Sequence, residues 1–172
     1  MNKFSGLEMA NEALLFHVSK YMGQKEIPGP KSNWWILQMI KSYNGGVFDW
    51  ASDDGEIAWC SIFLHLVALD ACAIIDPRTN KGATALARSW RYSGNEVPLD
   101  SLVLPGDVGI FSRGSNWGHV GVIQSIVDQS VYLLGGNQNN AVNQMVYKRS
   151  RLLYVRRLYL EPQTIDDIGN II

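Results

Sequence analysis

The stretch EIAWCSIFLHLVALDAC, residues 56–72, contains both cysteines of a 172-residue chain and predicts its central helix. Its apolar run is too short for a membrane span, which needs about 20 apolar residues, and it is interrupted by Ser61, His65 and Asp70. On one helix, Cys60 and Cys72 would lie about 18 Å apart along the axis. A disulfide tolerates Cα separations of only about 7 Å, so we predict that these two residues do not pair.

The composition and the length indicate one globular domain. Hydrophobic residues make up 47% of the chain, charged residues make up 18%, and the net charge is −1. These values are typical of a folded protein with a core, and they give no basis for nucleic-acid binding. We expect a single domain over residues 1–160, a tail over residues 161–172, and a monomer.

The first residues, MNKFSGLEMANE, do not have the pattern of a secretory signal. Polar residues interrupt the apolar core that such a signal requires, namely Glu8, Asn11 and Glu12. We therefore expect synthesis in the cytoplasm and no membrane insertion.

The first hundred residues carry helical signals. Ser5 and Glu8 have the spacing of a capping box, and a helical repeat follows them. Asn33 can cap a second helix through WWILQMIKSY, and TALARSWRYSG, residues 84–94, predicts a further short helix. The acidic segment over residues 44–56 is predicted to be a solvated loop that caps the cysteine helix.

From residue 104 onward, short β-rich runs alternate with turn residues. The runs are DVGIF, HVGVIQSIV, SVYLLGG and VNQMVYKRSRLLYVRRL, and their order predicts an antiparallel meander. Helices followed by strands predict an α+β domain, with N-terminal helices packed on the sheet. The basic run KRSRLLYVRR, residues 148–157, is predicted to be a charged edge strand that discourages aggregation.

Cys60 is the candidate nucleophile because it lies at the predicted start of a helix. A helix N-terminus or a neighbouring imidazolium lowers the pKa of a thiol and makes the thiolate available. A small buried hydrophobic residue is the plainer interpretation of a cysteine on an apolar helix, and it stays open at this stage.

His119 is the candidate base among three histidines. His65 lies five residues beyond Cys60, on another side of the same helix, and His17 lies on the apolar face of the first helix. The run NWGHVGVI places His119 at the start of a strand between small residues, where the backbone can approach closely. A solvated strand residue is the alternative.

Asn137 is the candidate residue that orients the imidazole. It follows the strand VYLLGG and shares strand parity with Val131 and Leu133, which we expect to face the cysteine helix. Gln138 replaces it if the register slips by one. An ordinary turn asparagine is the alternative. The order of cysteine on a helix, histidine on a strand and amide after the next strand is typical of thiol hydrolases.

With these motifs the sequence resembles the papain-like cysteine hydrolases of bacterial cell-wall turnover, the CHAP and NlpC-type families, and within them a small phage- and toxin-associated branch. The matching pieces are GQKEIPGPKSN, AWC, LPGDVGIFSRG, WGHVGVI and LLGGNQ, which together span most of residues 10–157. The resemblance implies a papain-like domain with Cys60 as nucleophile, His119 as general base and Asn137 as orienting residue. It implies peptidoglycan stem peptides as substrate, cut as an amidase or as an endopeptidase.

Three further residues are candidates for substrate binding: Trp59, Arg113 and Trp117. Exposed aromatic side chains can pack on sugar or peptide, and an arginine can hold a stem-peptide carboxylate. Core tryptophans and a solvated arginine are the alternative. The acidic residues before the helix lack EF-hand spacing, so we expect no metal and no cofactor.

Two other functions stay open beside the hydrolase. One is a non-catalytic wall- or partner-binding module on the same fold, and the other is a thiol acyltransferase or lipid hydrolase. The resemblance disfavours the lipid-active class, whose members commonly present the histidine before the cysteine. It implies delivery to the wall by phage lysis or by specialised secretion, and it leaves an inhibitory immunity protein open as a partner.

Overall fold

The computed structural model describes residues 8–29, 31–75, 85–115 and 117–162. It has three α-helices, α1 (Asn11–Lys20), α2 (Trp34–Ser42) and α3 (Cys60–Asp70), and short 3-10 turns at Tyr43–Gly45, Ala87–Tyr92 and Arg149–Arg151. Its strands are β1 (Asn95–Val97), β2 (Val108–Ser112), β3 (Gly118–Val127), β4 (Ser130–Gly135), β5 (Asn143–Lys148) and β6 (Leu152–Arg157). Over these residues, no helix has the length and apolar character to cross a membrane.

The six strands form one antiparallel sheet in the order β1-β6-β2-β3-β4-β5. The α+β class is therefore confirmed, and so is a meander from β2 to β5. The last predicted run is two strands separated by the turn Arg149–Arg151, and β6 crosses back to lie between β1 and β2. The prediction of a charged edge strand over 148–157 is thus wrong for β6, which is internal.

The cysteine helix begins where the sequence predicted but ends earlier than the apolar run. Cys72 has φ 51°, a left-handed conformation that a helix cannot contain, so the chain leaves α3 after Asp70. Both cysteines are free, as predicted. Ile62, Phe63 and Val67 are buried and anchor α3 against the sheet.

The first two helices show one confirmed cap and one displaced start. The side chain of Asn33 accepts hydrogen bonds from the amides of Trp35 (2.9 Å) and Ile36 (3.3 Å), as a capping residue does. The first helix begins at Asn11, after Ala10, which offers no side-chain cap. The predicted capping residue Ser5 lies outside the described residues. The short helix predicted over 84–94 is a 3-10 turn, and residue 84 lies outside the described part.

The acidic segment before α3 is more than a solvated loop. Asp54 is 1% exposed, and its carboxylate accepts hydrogen bonds from the amides of Ile27 (3.1 Å) and Asn33 (2.6 Å). A buried carboxylate is stable only with such donors. Asp54 therefore ties the proline-containing loop and the start of α2 to the segment that leads into Cys60.

The two faces of the sheet pack against different partners. Val120 and Val122 on β3 belong to the core shared with the helices. Phe111, Val131 and Leu133 belong to a second core on the opposite face. A glycine allows α3 to approach the sheet closely: a Cβ atom on Gly136 would lie 2.5 Å from Trp59 Cζ3 and 2.7 Å from Phe63 Cβ.

Candidate active site

Cys60 lies at an open cleft. It is the first residue of α3, its residue surface is 4% exposed, and it lines a cleft with a volume of about 360 Å³. The other lining residues come mostly from the segment before β1 and from the start of β3: Ala58, Ala85, Leu86, Ala87, Arg88, Ser89, Arg91, Tyr92, Trp117 and Gly118. The thiol is therefore largely desolvated yet can be approached from solvent.

The surroundings of Cys60 have two opposite effects on the pKa of its thiol. Burial raises the pKa of the thiol, while the positive charge of Arg113 and the backbone N–H groups of Val120, Ser61 and Cys60 itself lower it. The Val120 amide is available because β4 pairs with β3 only from Val122 onward. Since burial is the largest effect, the resting group is a neutral thiol.

His119 is the second residue of β3 and is fully buried. Its ring stacks on the ring of Tyr147 with centroids 5.4 Å apart, on the sheet face opposite α3. Burial, with the nearby charge of Arg113, lowers its pKa from 6.5 to about 3. The imidazole is therefore neutral at physiological pH, as a base must be before it accepts a proton.

Gln138 fixes the tautomer of His119. Its Oε1 lies 3.1 Å from His119 Nε2. Its Nε2 faces four oxygens, those of Asn143 O (2.6 Å), Asn143 Oδ1 (3.2 Å), Leu133 O (3.3 Å) and Gly135 O (3.4 Å). Only a donor suits that position, so Oε1 must accept from the ring and His119 Nε2 carries the hydrogen. The lone pair of the neutral ring is then on Nδ1.

The basic nitrogen of His119, Nδ1, is buried and lacks a hydrogen-bond partner among the described residues. A buried polar atom without a partner is uncommon in a stable core. The hydrogen-bonding capacity of this atom is therefore left for another group, as is that of Arg88 Nε, which is also buried without a partner among these residues.

Cys60 and His119 have several neighbours in common. The Val120 amide, which acts on the sulfur, belongs to the residue directly after His119. The charge of Arg113 acts on both groups. Tyr147 stacks on His119, and the charge of Cys60 affects its pKa. The structure thus places both predicted residues at the same end of β3.

The expected role of Asn137 is corrected by the structure, because the residue that contacts the ring is Gln138. The parity argument fails for two reasons. Val131 and Leu133 lie on the sheet face opposite α3, and β4 ends at Gly135. Asn137 has φ 54°, in a turn where strand alternation no longer applies.

The three predicted substrate-binding residues have different fates. Trp59 is fully buried and its Nε1 donates to Glu26 Oε1 at 2.7 Å, so the structure does not place it where a substrate could reach it. Trp117 is 69% exposed and lines the cleft. Arg113 is exposed, and its side chain hydrogen bonds with Tyr147, which lowers the pKa of that phenol against the larger effect of burial.

Sequence reasoning missed three residues of the site: Tyr147, Asn143 and Arg88. Tyr147 covers the imidazole, and Asn143 holds the Gln138 side chain and donates from Nδ2 to the Gln138 carbonyl at 2.9 Å. Arg88 Nη2 donates to the carbonyls of Gly114 (2.9 Å) and Trp117 (3.1 Å) across the cleft. No local pattern marks these residues, because their roles depend on contacts between distant segments.

No protein-family model matches this chain, and no curated protein matches it. The resemblance to cell-wall hydrolases therefore rests on the sequence motifs given above. Over the described residues, no group of three or more histidine, cysteine or acidic side chains could hold a metal ion.

Proposed function

We propose that this protein is a papain-like thiol hydrolase of the CHAP/NlpC type that cleaves an amide bond in peptidoglycan stem peptides. One observation carries the reaction type. The tautomer of His119 set by Gln138 leaves Nδ1 as a buried base without a partner among the described residues, and neighbours of this histidine also act on a cysteine that lines an open cleft. A lone pair that is buried without a partner costs free energy. Nδ1 of His17 and Nδ1 of His65 are likewise buried without a hydrogen-bond partner among the described residues, so His119 is distinguished by the neighbours that it shares with Cys60.

The reaction begins from a neutral pair. A thiolate–imidazolium pair would require a lowered thiol pKa and a raised imidazole pKa, and both groups shift the other way. His119 Nδ1 takes the proton from Cys60 as the sulfur attacks the amide carbonyl. The C–N bond then breaks, and the leaving amine takes that proton from Nδ1.

Hydrolysis of the acyl enzyme returns the site to its first state. Water attacks the thioester carbonyl while Nδ1 accepts one of its protons, the C–S bond breaks, and the proton passes to the sulfur. The product acid leaves, and both groups are again neutral. His119 thus serves as base and acid in turn without exchanging its Nε2 hydrogen, which stays bonded to Gln138.

The start of α3 supplies a donor for the oxyanion. First-turn N–H groups of a helix have no intrahelical acceptor, and Trp59 provides no side-chain cap here. The N–H of Cys60 therefore can donate to the oxygen that becomes negative as the sulfur attacks. Removing one such donor costs about 100-fold or more in turnover in enzymes that use this arrangement.

The substrate class rests on the resemblance and on the cleft. Small residues beside the sulfur leave room for a peptide, and exposed Trp117 offers an aromatic surface for sugar or peptide. Amidase action at the muramoyl–alanine link and endopeptidase action within the peptide both fit this cleft.

Purified wall sacculi test the proposal directly. We expect the wild-type protein to release new amine termini, and mass spectrometry of the muropeptides to identify the bond that is cut. The Cys60→Ala variant should be inactive, because no other group can form the thioester. Cys72→Ser is the matched control, since this exposed cysteine lies at the far end of α3.

Two results would reject the proposal. If the wild-type protein releases no more termini than Cys60→Ala, the chain is a binding module and not an enzyme. If it hydrolyses phospholipid vesicles but not sacculi, the thiol chemistry stands and the substrate class is wrong.

A further inference from the structure

The cleft beside Cys60 is lined by positive charge. Arg88 and Arg91 both face it, and none of its described lining residues is acidic. Arg113 lies close enough for its charge to act on Cys60 and His119. The chain has 16 acidic and 15 basic residues, so this local excess is a matter of placement and not of composition.

These arginines bond only to neutral groups in the described parts of the chain. Arg88 donates to two backbone carbonyls. Arg91 hydrogen bonds to the hydroxyls of Tyr92 and Tyr154, and its guanidinium carbon lies 4.6 Å from the centre of the Tyr92 ring. Neutral acceptors orient a guanidinium but leave its charge uncompensated.

Two arginines of β6 are paired with carboxylates instead, whereas Arg149 and Arg151 donate to backbone carbonyls. Arg157 forms a two-pronged ion pair with Asp107 at 2.8 and 2.7 Å, and Arg156 lies 3.4 Å from Glu96. A guanidinium matches a carboxylate in shape and charge, so pairing is its ordinary arrangement where a carboxylate is available. At the cleft, the described part of the chain supplies none.

The two cleft arginines have different freedom to receive a ligand. Arg88 is half-buried and spans the cleft wall, and a Cβ atom on Gly118 would lie 2.9 Å from its Cγ. The hydrogen bonds of Arg88 to Gly114 and Trp117 stabilise the loop before β3. Arg91 is exposed and its hydrogen bonds go to the neutral phenols of Tyr92 and Tyr154, so a bound anion would meet no carboxylate competing for it among the described residues.

We propose that the cleft recognises a substrate carboxylate next to the amide presented to Cys60, with Arg91 as its ligand and Arg88 as the residue that positions the wall around it. This inference rests on the proposed function and specifies its substrate: peptides with a free carboxylate at that position are preferred over their carboxamides.

A pair of synthetic substrates tests the inference. One is N-acetylmuramoyl-L-alanyl-γ-D-glutamyl-L-lysine amide, and the other carries a carboxamide in place of the glutamyl α-carboxylate. We expect the wild-type protein to cleave the first with a kcat/KM about 10-fold higher, since a charge-assisted carboxylate–guanidinium pair is stronger than an amide–guanidinium bond. The preference should shrink at high salt.

Arg91 variants assign the preference. In Arg91→Gln, kcat/KM for the carboxylate peptide should fall until it equals that of the carboxamide peptide measured on the same variant. Arg91→Lys should retain part of the preference, because it keeps the charge and loses the planar fork. Lys148→Gln is the charge control, since it removes one exposed positive charge from β5 and should behave as wild type.

The outcomes separate this inference from the hydrolase proposal. Equal cleavage of both peptides, or a preference that persists in Arg91→Gln, would overturn the inference and leave the hydrolase intact. If neither peptide is cleaved, calorimetric titration of both into the Cys60→Ala variant decides: about 10-fold tighter binding of the carboxylate supports the inference, and equal affinities reject it.

Discussion

Two regions of this molecule use arginine in opposite ways. At the sheet end near α1, Asp107 is fully buried and accepts from Arg157, from Asn11 Nδ2 (3.1 Å) and from the amide of Leu104 (2.8 Å). At the cleft, the bonds that Arg88 and Arg91 make to described residues go to neutral groups. The first arrangement joins distant segments, and the second leaves charge available for something outside the chain.

The comparison extends to the buried polar groups of each region. Asp107 has a donor for each of its carboxylate oxygens, whereas His119 keeps one nitrogen without a partner among the described residues. A fully satisfied network stabilises the fold, and a partly satisfied one costs stability. We therefore expect substitutions near Asp107 to change folding and those near the cleft to change reactivity.

The largest expected effect is an acid sensitivity that originates in the cleft region. The pKa of His119 is about 3 in the folded protein and 6.5 in the unfolded protein. Between these two pH values the unfolded state binds a proton at this residue and the folded state does not. This contribution to the free energy of unfolding is complete above pH 6.5 and is lost as the pH falls toward 3, by about 5 kcal/mol in all.

Urea titrations of the wild type and of His119→Gln over this pH range measure the effect. The variant should show a flatter dependence of the free energy of unfolding on pH, because glutamine does not titrate. Parallel curves for the two proteins would contradict the buried, neutral state of His119.

The second largest expected effect is the loss of stability when the buried ion pair of Asp107 and Arg157 is broken. Asp107→Ala removes the partner of Arg157 and of two further donors, and we expect it to lower the free energy of unfolding by about 3–5 kcal/mol. Glu96→Gln is the matched control. Its ion pair with Arg156 involves a carboxylate side chain that is 68% exposed, so it should cost less than about 1 kcal/mol. Urea unfolding at pH 7 separates them, and equal losses would show that burial does not distinguish the pairs.

The neutral partner of His119 gives a smaller, kinetic effect. Gln138→Leu should lower kcat/KM by about 10- to 100-fold, since the Nε2 hydrogen loses its acceptor and the ring can take the wrong tautomer, at a cost of about 1–3 kcal/mol. Asn137→Gly is the control, because glycine tolerates the positive φ of that position. A larger loss in Asn137→Gly than in Gln138→Leu would restore Asn137 as the orienting residue.

The smallest effect concerns Arg113 and the thiol. Because its charge lowers the pKa of Cys60, Arg113→Gln should move the pH profile of iodoacetamide alkylation upward and slow the reaction about 3-fold at fixed pH. Both proteins should carry Cys72→Ser, since Cys72 is exposed and would be alkylated first. An unchanged or downward-shifted profile would exclude this electrostatic role.

Local signals in the sequence predicted much of the fold. The cap at Asn33, the start of α3 and the meander from β2 to β5 depend on residues close in the chain. The insertion of β6 beside β2 and the burial of Asp54 could not be predicted, since each joins segments that are far apart in sequence.

The site was predictable to the extent that it lies on regular elements. Cys60 on α3 and His119 on β3 follow from helix and strand signals. The choice between Asn137 and Gln138 could not be made, because beyond Gly135 the chain turns through left-handed residues and alternation gives no direction. The burial of Trp59 could not be predicted either, because an aromatic side chain gives no local sign of whether it is buried.

Gly136 contacts the helix of the proposed nucleophile, Cys60, and lies close in sequence to the residue that orients the proposed base, His119. This residue admits Trp59 and Phe63 of the cysteine helix, and it lies two positions before the glutamine that holds the imidazole. The turn at Gly136 therefore influences both how closely the Cys60 helix packs on the sheet and how the His119 ring is oriented. A methyl group added at position 136 would displace both the helix that carries Cys60 and the turn that leads to Gln138. The lack of a side chain at this residue therefore helps to fix where Cys60 and His119 lie relative to one another.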